Sequence, residues 1–152
     1  MSETEMIVHN VVIGKQRSEQ VPIRNHKKIY VGCAESDIRY RDMLVNFRHR
    51  WELYSKPTID FLTFDRKGKE MDQCKPIIEK AILSVDGVMI IVSDQTSTDP
   101  LALWEIDCTI SNNIPIIGVD IGQNCEGKIP KTLEGKITKY GWEWFAEFIN
   151  KL

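Results

Sequence analysis

"GVMIIVSDQTSTDPLALWEIDCTISNNIPIIGVDI", residues 87–121, holds the pattern that decides the fold. It opens with a continuous apolar run of strand length, "GVMIIVS", and closes with a second, "IPIIGVDI". Runs without polar alternation are expected of parallel strands covered on both faces. Between them Asp99-Pro100 reads as an N-cap followed by the first helical residue. Leu101, Trp104 and Cys108 then recur at helical spacing, which predicts a buried stripe. Glu105 stands one step round the helix from that stripe. An ionised carboxylate on the inward edge of a helix is costly unless something pairs with it.

Outward from this unit the same alternation continues. "KKIYVGCA" (27–34) is the first strand, and Ser36 reads as the N-cap of a helix. Tyr40, Met43, Leu44, Phe47 and Trp51 form that helix's apolar face, which Lys56-Pro57 ends. "TIDFLTF" (58–64) makes the second strand and "DRKGKEMDQ" (65–73) a polar loop. Ile77, Ile78, Ala81, Ile82 and Val85 give the next helical stripe. Pro76 is placed in its first turn, where amides lack helical partners. Beyond residue 121, "KITKY" (136–140) predicts a short edge strand and "WEWFAEFINKL" (142–152) a closing helix. The expectation is an α/β, flavodoxin-like doubly wound fold. Its parallel five-stranded sheet has order 2-1-3-4-5, with helices on both faces. Residues 1–27 precede the pattern as an N-terminal extension, and 28–152 form the α/β domain. Within the extension, "MIVHNVVI" (6–13) reads either as an edge strand or as a surface segment.

The totals exclude several classes. A chain of 152 residues, 42% hydrophobic and 28% charged, predicts one folded domain rather than disorder. A net charge of −2 gives no electrostatic reason for a nucleic-acid partner. No apolar run approaches the ~20 residues of a membrane span, and the acidic "MSETEM" does not read as a signal peptide. Cys33, Cys74, Cys108 and Cys125 have neither CxxC spacing nor neighbouring histidines. They predict free thiols in a reducing, cytoplasmic setting and no metal site.

In an open doubly wound sheet, ligands bind outside the carboxyl ends of the strands, where the strand order reverses. That point falls between the first and third strands, so "GCAESD" (32–37) and "SDQTSTD" (93–99) border the crevice. The helix carrying Glu105 starts directly from the second loop, which sets Glu105 over the crevice. On pattern alone Glu105 reads first as a partly solvated edge residue, Ser93 as a turn former and Trp104 as core. A phospho-receiver needs an acidic pair closing the first strand and an Asp ending the third, where "VGCA" and Ser93 stand. A flavodoxin needs a Ser/Thr- and Gly-rich phosphate loop, and "CAESD" lacks it.

Read together, these segments resemble a Toll/interleukin-1 receptor (TIR) domain. More narrowly, they resemble the small standalone TIR-like proteins of bacterial Thoeris-type anti-phage defence. "KKIYVGCAESDIRYRDML" is similar to the family's first box, with Asp37 at the acidic position opening the first helix. "FLTFDRKGKEMD" is similar to the second strand and BB loop, with Phe64-Asp65 at its start. "GVMIIVSDQTS" is similar to the strand that ends in Ser. "LWEIDCTISNNIPIIGVDI" is similar to the helix bearing the catalytic Glu and the strand after it. The likeness spans about residues 28–121, and the catalytic position carries over onto Glu105. Two departures stand out. Leu101 occupies the place where many members have a Trp, while Trp104 adjoins the Glu; and the loop is basic (Arg66, Lys67, Lys69) with the single glycine Gly68.

The resemblance implies NAD+ as substrate, with no separate cofactor, cleaved between ribose and nicotinamide to give a nucleotide signal. It also implies self-association or assembly with other TIR domains, and an effector protein that reads the product. With Glu105 as catalytic residue, the implied substrate-binding set is Gly32, Cys33, Ala34, Ser36, Asp37, Phe64, Asp65, Ser93 and Trp104. Amides of residues 32–34 and the helix at Ser36 would receive the diphosphate, with Arg39 assisting. Ser93 would bond a ribose hydroxyl, and Phe64 or Trp104 would stack on a ring. One carboxylate suffices for this chemistry. Ordinary glycosidases need a second to protonate a poor leaving group, whereas a pyridinium departs neutral without a proton. Two alternatives remain: a non-catalytic TIR adaptor, and a nucleoside deoxyribosyltransferase-like enzyme.

Overall fold

Val88, Met89, Ile90, Ile91 and Val92 are wholly enclosed, as the apolar run predicts. Their strand is interior to the sheet. The computed structural model describes residues 6–12, 27–46, 58–121 and 128–152. Its strands are β1 (Met6–Val12), β2 (Lys27–Gly32), β3 (Thr58–Phe64), β4 (Gly87–Val92), β5 (Ile116–Asp120) and β6 (Ile137–Lys139). The helices are α1 (Ile38–Asn46), α2 (Met71–Ser84), α3 (Pro100–Ser111) and α4 (Trp142–Asn150).

The sheet has six strands in the order β1-β3-β2-β4-β5-β6, not the expected five in the order 2-1-3-4-5. The difference is β1, which runs antiparallel along β3 from Met6 opposite Phe64 to Val12 opposite Thr58. Without it, the apolar β3 would be an open edge, presenting unpaired amides and carbonyls. "MIVHNVV" has the apolar, uncharged composition to cover that edge, so part of the N-terminal extension is built into the sheet. The other neighbours pair in parallel. The chain moves outward from β2 in one direction to β3 and in the other to β4. The carboxyl ends of β2 and β4 therefore flank a switch point.

Successive residues of a strand face opposite sides, and both sides are covered. α1 and α4 bring Leu44, Val45, Phe145 and Ile149 onto Ile29, Val31, Phe61, Met89 and Ile91. α2 and α3 bring Cys74, Ile78, Ile82, Leu101 and Ile106 onto Tyr30, Leu62, Phe64, Val88 and Ile90. Cys33, Cys74 and Cys108 are buried, and Cys125 lies outside the described residues. Among the described residues no helix is long and apolar enough to cross a membrane.

Three local expectations are corrected. Ser36 does not cap a helix: it sits exposed inside a 3-10 turn (Glu35–Asp37) that leads into α1. The inward side of α1 carries Arg41, Leu44 and Val45, while Met43 is exposed. Arg41 takes that position because its guanidinium donates to the Phe64 carbonyl at 3.0 Å, closing off the end of β3. Phe47, Trp51 and Lys56-Pro57 fall outside the described residues. Finally, α2 starts earlier than the stripe suggested. A Glu70–Gln73 capping box opens it, so Pro76 lies within the helix, on its exposed side.

Candidate active site at the carboxyl ends of the central strands

Two short turns build the floor of the site. After β2, the Asp37 amide donates to the Ala34 carbonyl at 2.9 Å, which closes the 3-10 turn. After β4, the Ser93 amide donates to Thr96 Oγ1 at 2.9 Å and the Gln95 amide donates to Ser93 Oγ at 3.0 Å. Ser93 Oγ then donates to Asp37 Oδ2 at 2.6 Å, pinning one turn to the other. Burial pushes the Asp37 carboxyl above its usual value and the Ser93 bond works against that; Asp94 and Asp99 add to the rise.

Asp99 caps α3 as the Asp-Pro pair predicts, accepting from the Ala102 amide at 3.0 Å. Its other oxygen accepts from the Glu35 amide at 2.9 Å, so it also holds the turn after β2. Arg66, from the loop after β3, donates to the Cys33 carbonyl at 3.1 Å and to Asp99 Oδ1 at 3.2 Å. Desolvation opposes charge on Asp99. Even so, the two amides and the guanidinium together keep its carboxyl below the usual range. One carboxylate and one guanidinium thus clasp three loops.

Glu105 lies beneath this clasp and is only 2% exposed. Tyr30 from β2 donates its hydroxyl to Glu105 Oε2 at 2.6 Å. Oε1 is buried with no hydrogen-bond partner among the described residues. It approaches β2 where Gly32 stands, and a Cβ there would collide with Oε1 and press on Ile90. Glycine therefore lets a carboxylate approach the strand backbone closely. Burial pushes the Glu105 carboxyl up to about 8, against the lowering effects of the Tyr30 bond and of Arg66. The cost of a carboxylate beside the apolar stripe is met on one oxygen only.

The residues expected at the site separate into groups. Gly32 and Glu105 come together, as do Asp37 and Ser93. Cys33 and Ala34 are buried in the turn after β2, with the Cys33 carbonyl held by Arg66. Burial also raises the Cys33 thiol, which leaves it inert. Phe64 is enclosed in the core on the α2–α3 side, and its carbonyl serves Arg41. Asp65 is exposed and receives the Lys67 amide, shaping the loop. Arg39 is exposed and lies over the Tyr40 ring. Trp104 is not brought to Glu105. Neighbouring helical residues point about 100° apart, so with Glu105 inward Trp104 turns to α2, where Lys75 Nζ stands 5.8 Å from its ring centroid.

Tyr30, Arg66 and Arg41 were missed as site residues. Tyr30 had a signal, being the one polar-tipped ring in an apolar strand. Arg66 was visible only as part of a basic loop. A separate cavity of about 740 Å³ opens between α1 and the β1–β3 edge, lined by residues that include His9, Tyr40, Arg41 and Asp65 but not Glu105. The chain matches no family model, and no curated protein matches it.

Proposed function

We propose that this protein is a TIR-like enzyme that cleaves NAD+ at the nicotinamide–ribose bond. The observation that carries the reading is the carboxylate of Glu105. It is buried at the switch point of a doubly wound sheet, with one oxygen held and the other without a partner among the described residues. Buried polar atoms in folded proteins are nearly always bonded, and an exception calls for a role.

The chemistry follows from charge. In NAD+ the nicotinamide nitrogen is cationic. As the C1′–N bond breaks, its electron pair stays with nitrogen, nicotinamide leaves neutral, and positive charge passes to the ribose ring. An ionised Glu105 in a site closed to water stabilises that charge where it develops. Water adding to C1′ gives ADP-ribose and releases a proton; capture by another group of the same molecule gives a cyclic product. With its carboxyl raised to about 8, Glu105 holds a proton at neutral pH in the closed state. A cationic pyridinium beside it favours loss of that proton. In this reading Ser93 would hold a ribose hydroxyl, giving up its bond to Asp37, and the amides of residues 32–34 would receive the diphosphate. Production of a nucleotide signal in anti-phage defence, self-association or assembly with other TIR domains, and an effector protein that reads the product follow from the resemblance.

A second reading, a TIR interaction domain without catalysis, draws on the closure of the site by Arg66. One experiment separates the two. NAD+ is incubated at high protein concentration with the native chain and with Glu105→Gln, and nicotinamide release is followed by chromatography. Turnover is expected to fall at least ~10²-fold in the variant, the scale of removing a principal transition-state stabiliser. Equal turnover by both chains rejects Glu105 as the catalytic group.

A further inference from the structure

We propose that Tyr30 is a positioning residue that gives the two oxygens of Glu105 different tasks: the phenol holds Oε2, and Oε1 is thereby the atom presented to the developing cation on the sugar. This inference rests on the NAD+-cleaving reading and adds to it which oxygen acts and what aims it.

The geometry supplies the argument. The Tyr30 hydroxyl lies 2.6 Å from Oε2, a short O–H···O bond. Tyr30 is 1% exposed and its ring is packed with Leu62, Phe64, Val88 and Ile90, so the phenol has one available position. On the other side of the carboxylate the wall is the Gly32 backbone with Ile90 beside it. A carboxylate held at one end and walled at the other keeps a single orientation. A Glu retained only for structure would have both oxygens bonded, because each unbonded buried oxygen is destabilising. Here one oxygen is bonded, and the other is buried against Gly32 with no hydrogen-bond partner among the described residues.

The same bond sets the charge state. A donor to the ionised form favours it, and the site is otherwise dominated by burial. The groups facing Glu105 are Tyr30 and Cys33 from β2 and its turn, Arg41 from α1, Arg66 from the loop after β3, and Asp99 and Cys108 of the α3 cap and helix. Of these, Tyr30 is the one bonded to the carboxylate. Without its hydroxyl, the carboxylate reaches its active, ionised form only at higher pH.

Tyr30→Phe tests this, since phenylalanine fills the same space and removes only the hydroxyl. Ionisation of Glu105 is read by infrared titration of its carboxyl band, assigned by its absence in Glu105→Gln. The pH profile of kcat for NAD+ cleavage is measured alongside. In Tyr30→Phe the ionisation is expected to move up by about one to two pH units, and the rising limb of kcat to move with it. Turnover at pH 7 should fall at least tenfold and recover at alkaline pH, with KM little changed. An unmoved carboxyl band, or a loss of turnover equal at every pH, overturns the assignment to Tyr30. The titration needs no substrate, so a native chain that leaves NAD+ intact overturns the NAD+ reading by itself.

Discussion

Glu105 Oε1 occupies the space that a side chain on Gly32 would need. The carboxylate and the strand end are fitted to each other: the oxygen comes close only because residue 32 has no Cβ. The glycine is a condition of the site rather than of a turn.

Gly32→Ala is therefore expected to behave as a site mutation. The new methyl meets Oε1 and Cδ of Glu105 on one side and Ile90 on the other. Displacing them costs roughly 1–3 kcal/mol, the usual scale for overpacking. Turnover should fall about as far as in Glu105→Gln, with the far-ultraviolet circular dichroism unchanged. An alanine variant with native turnover would show that the orientation of Glu105 does not matter.

Stability should depend on pH through the same group. In the unfolded chain Glu105 titrates near 4.5, and in the folded chain near 8. Between those values the folded state holds a proton that the unfolded state has released, so this group makes stability fall as pH rises through the window. Glu105→Gln removes that dependence. The variant should be more stable than the native chain at pH 8, by on the order of 2–4 kcal/mol, or roughly 2–4 °C in Tm for each kcal/mol. The gain should vanish as pH falls toward 4.5. Thermal melts of the two chains across this range check it.

Arg66→Ala should loosen the roof of the site while leaving the sheet intact. The guanidinium bonds the Cys33 carbonyl and Asp99, and Asp99 in turn holds the amides of Glu35 and Ala102. Bonds to charged groups contribute about 1.5–3 kcal/mol. Amide hydrogen exchange over residues 33–37 and 99–103 should accordingly speed up at least ~10-fold, with β4 and β5 unaffected. Equal protection in both chains would show that the loops hold their places without the clasp.

Much of the α/β alternation was legible because its signals are local. The unbroken apolar runs at 87–92 and 116–120 mark buried strands, and Asp99-Pro100 sets the phase of α3, which directs Glu105 inward. The partners of Glu105 were not legible in the same way. Tyr30 lies 75 residues away along the chain, and its polar tip in an apolar strand does not say which residue it bonds. Arg66 and Asp99 are 33 residues apart, and no spacing rule links a basic loop to a helix cap. Arg41 was hidden for another reason. Periodicity places an arginine on the wet side of a helix, whereas here a strand-end carbonyl draws it inward. Trp104 was assigned to the crevice beside Glu105, although helical geometry sends adjacent residues to different neighbours.

The antiparallel β1 has a consequence for how the chain is made. Met6–Val12 is synthesised before the strand it pairs with, which is complete only once Phe64 has been added. Until then an uncharged, aggregation-prone ribbon is without its mate. The strand rooting the Arg66 loop gains its second neighbour only through this long-range closure, and distant pairings of this kind are slow to form. This flank of the sheet therefore closes over a longer stretch of chain than the β5–β6 flank.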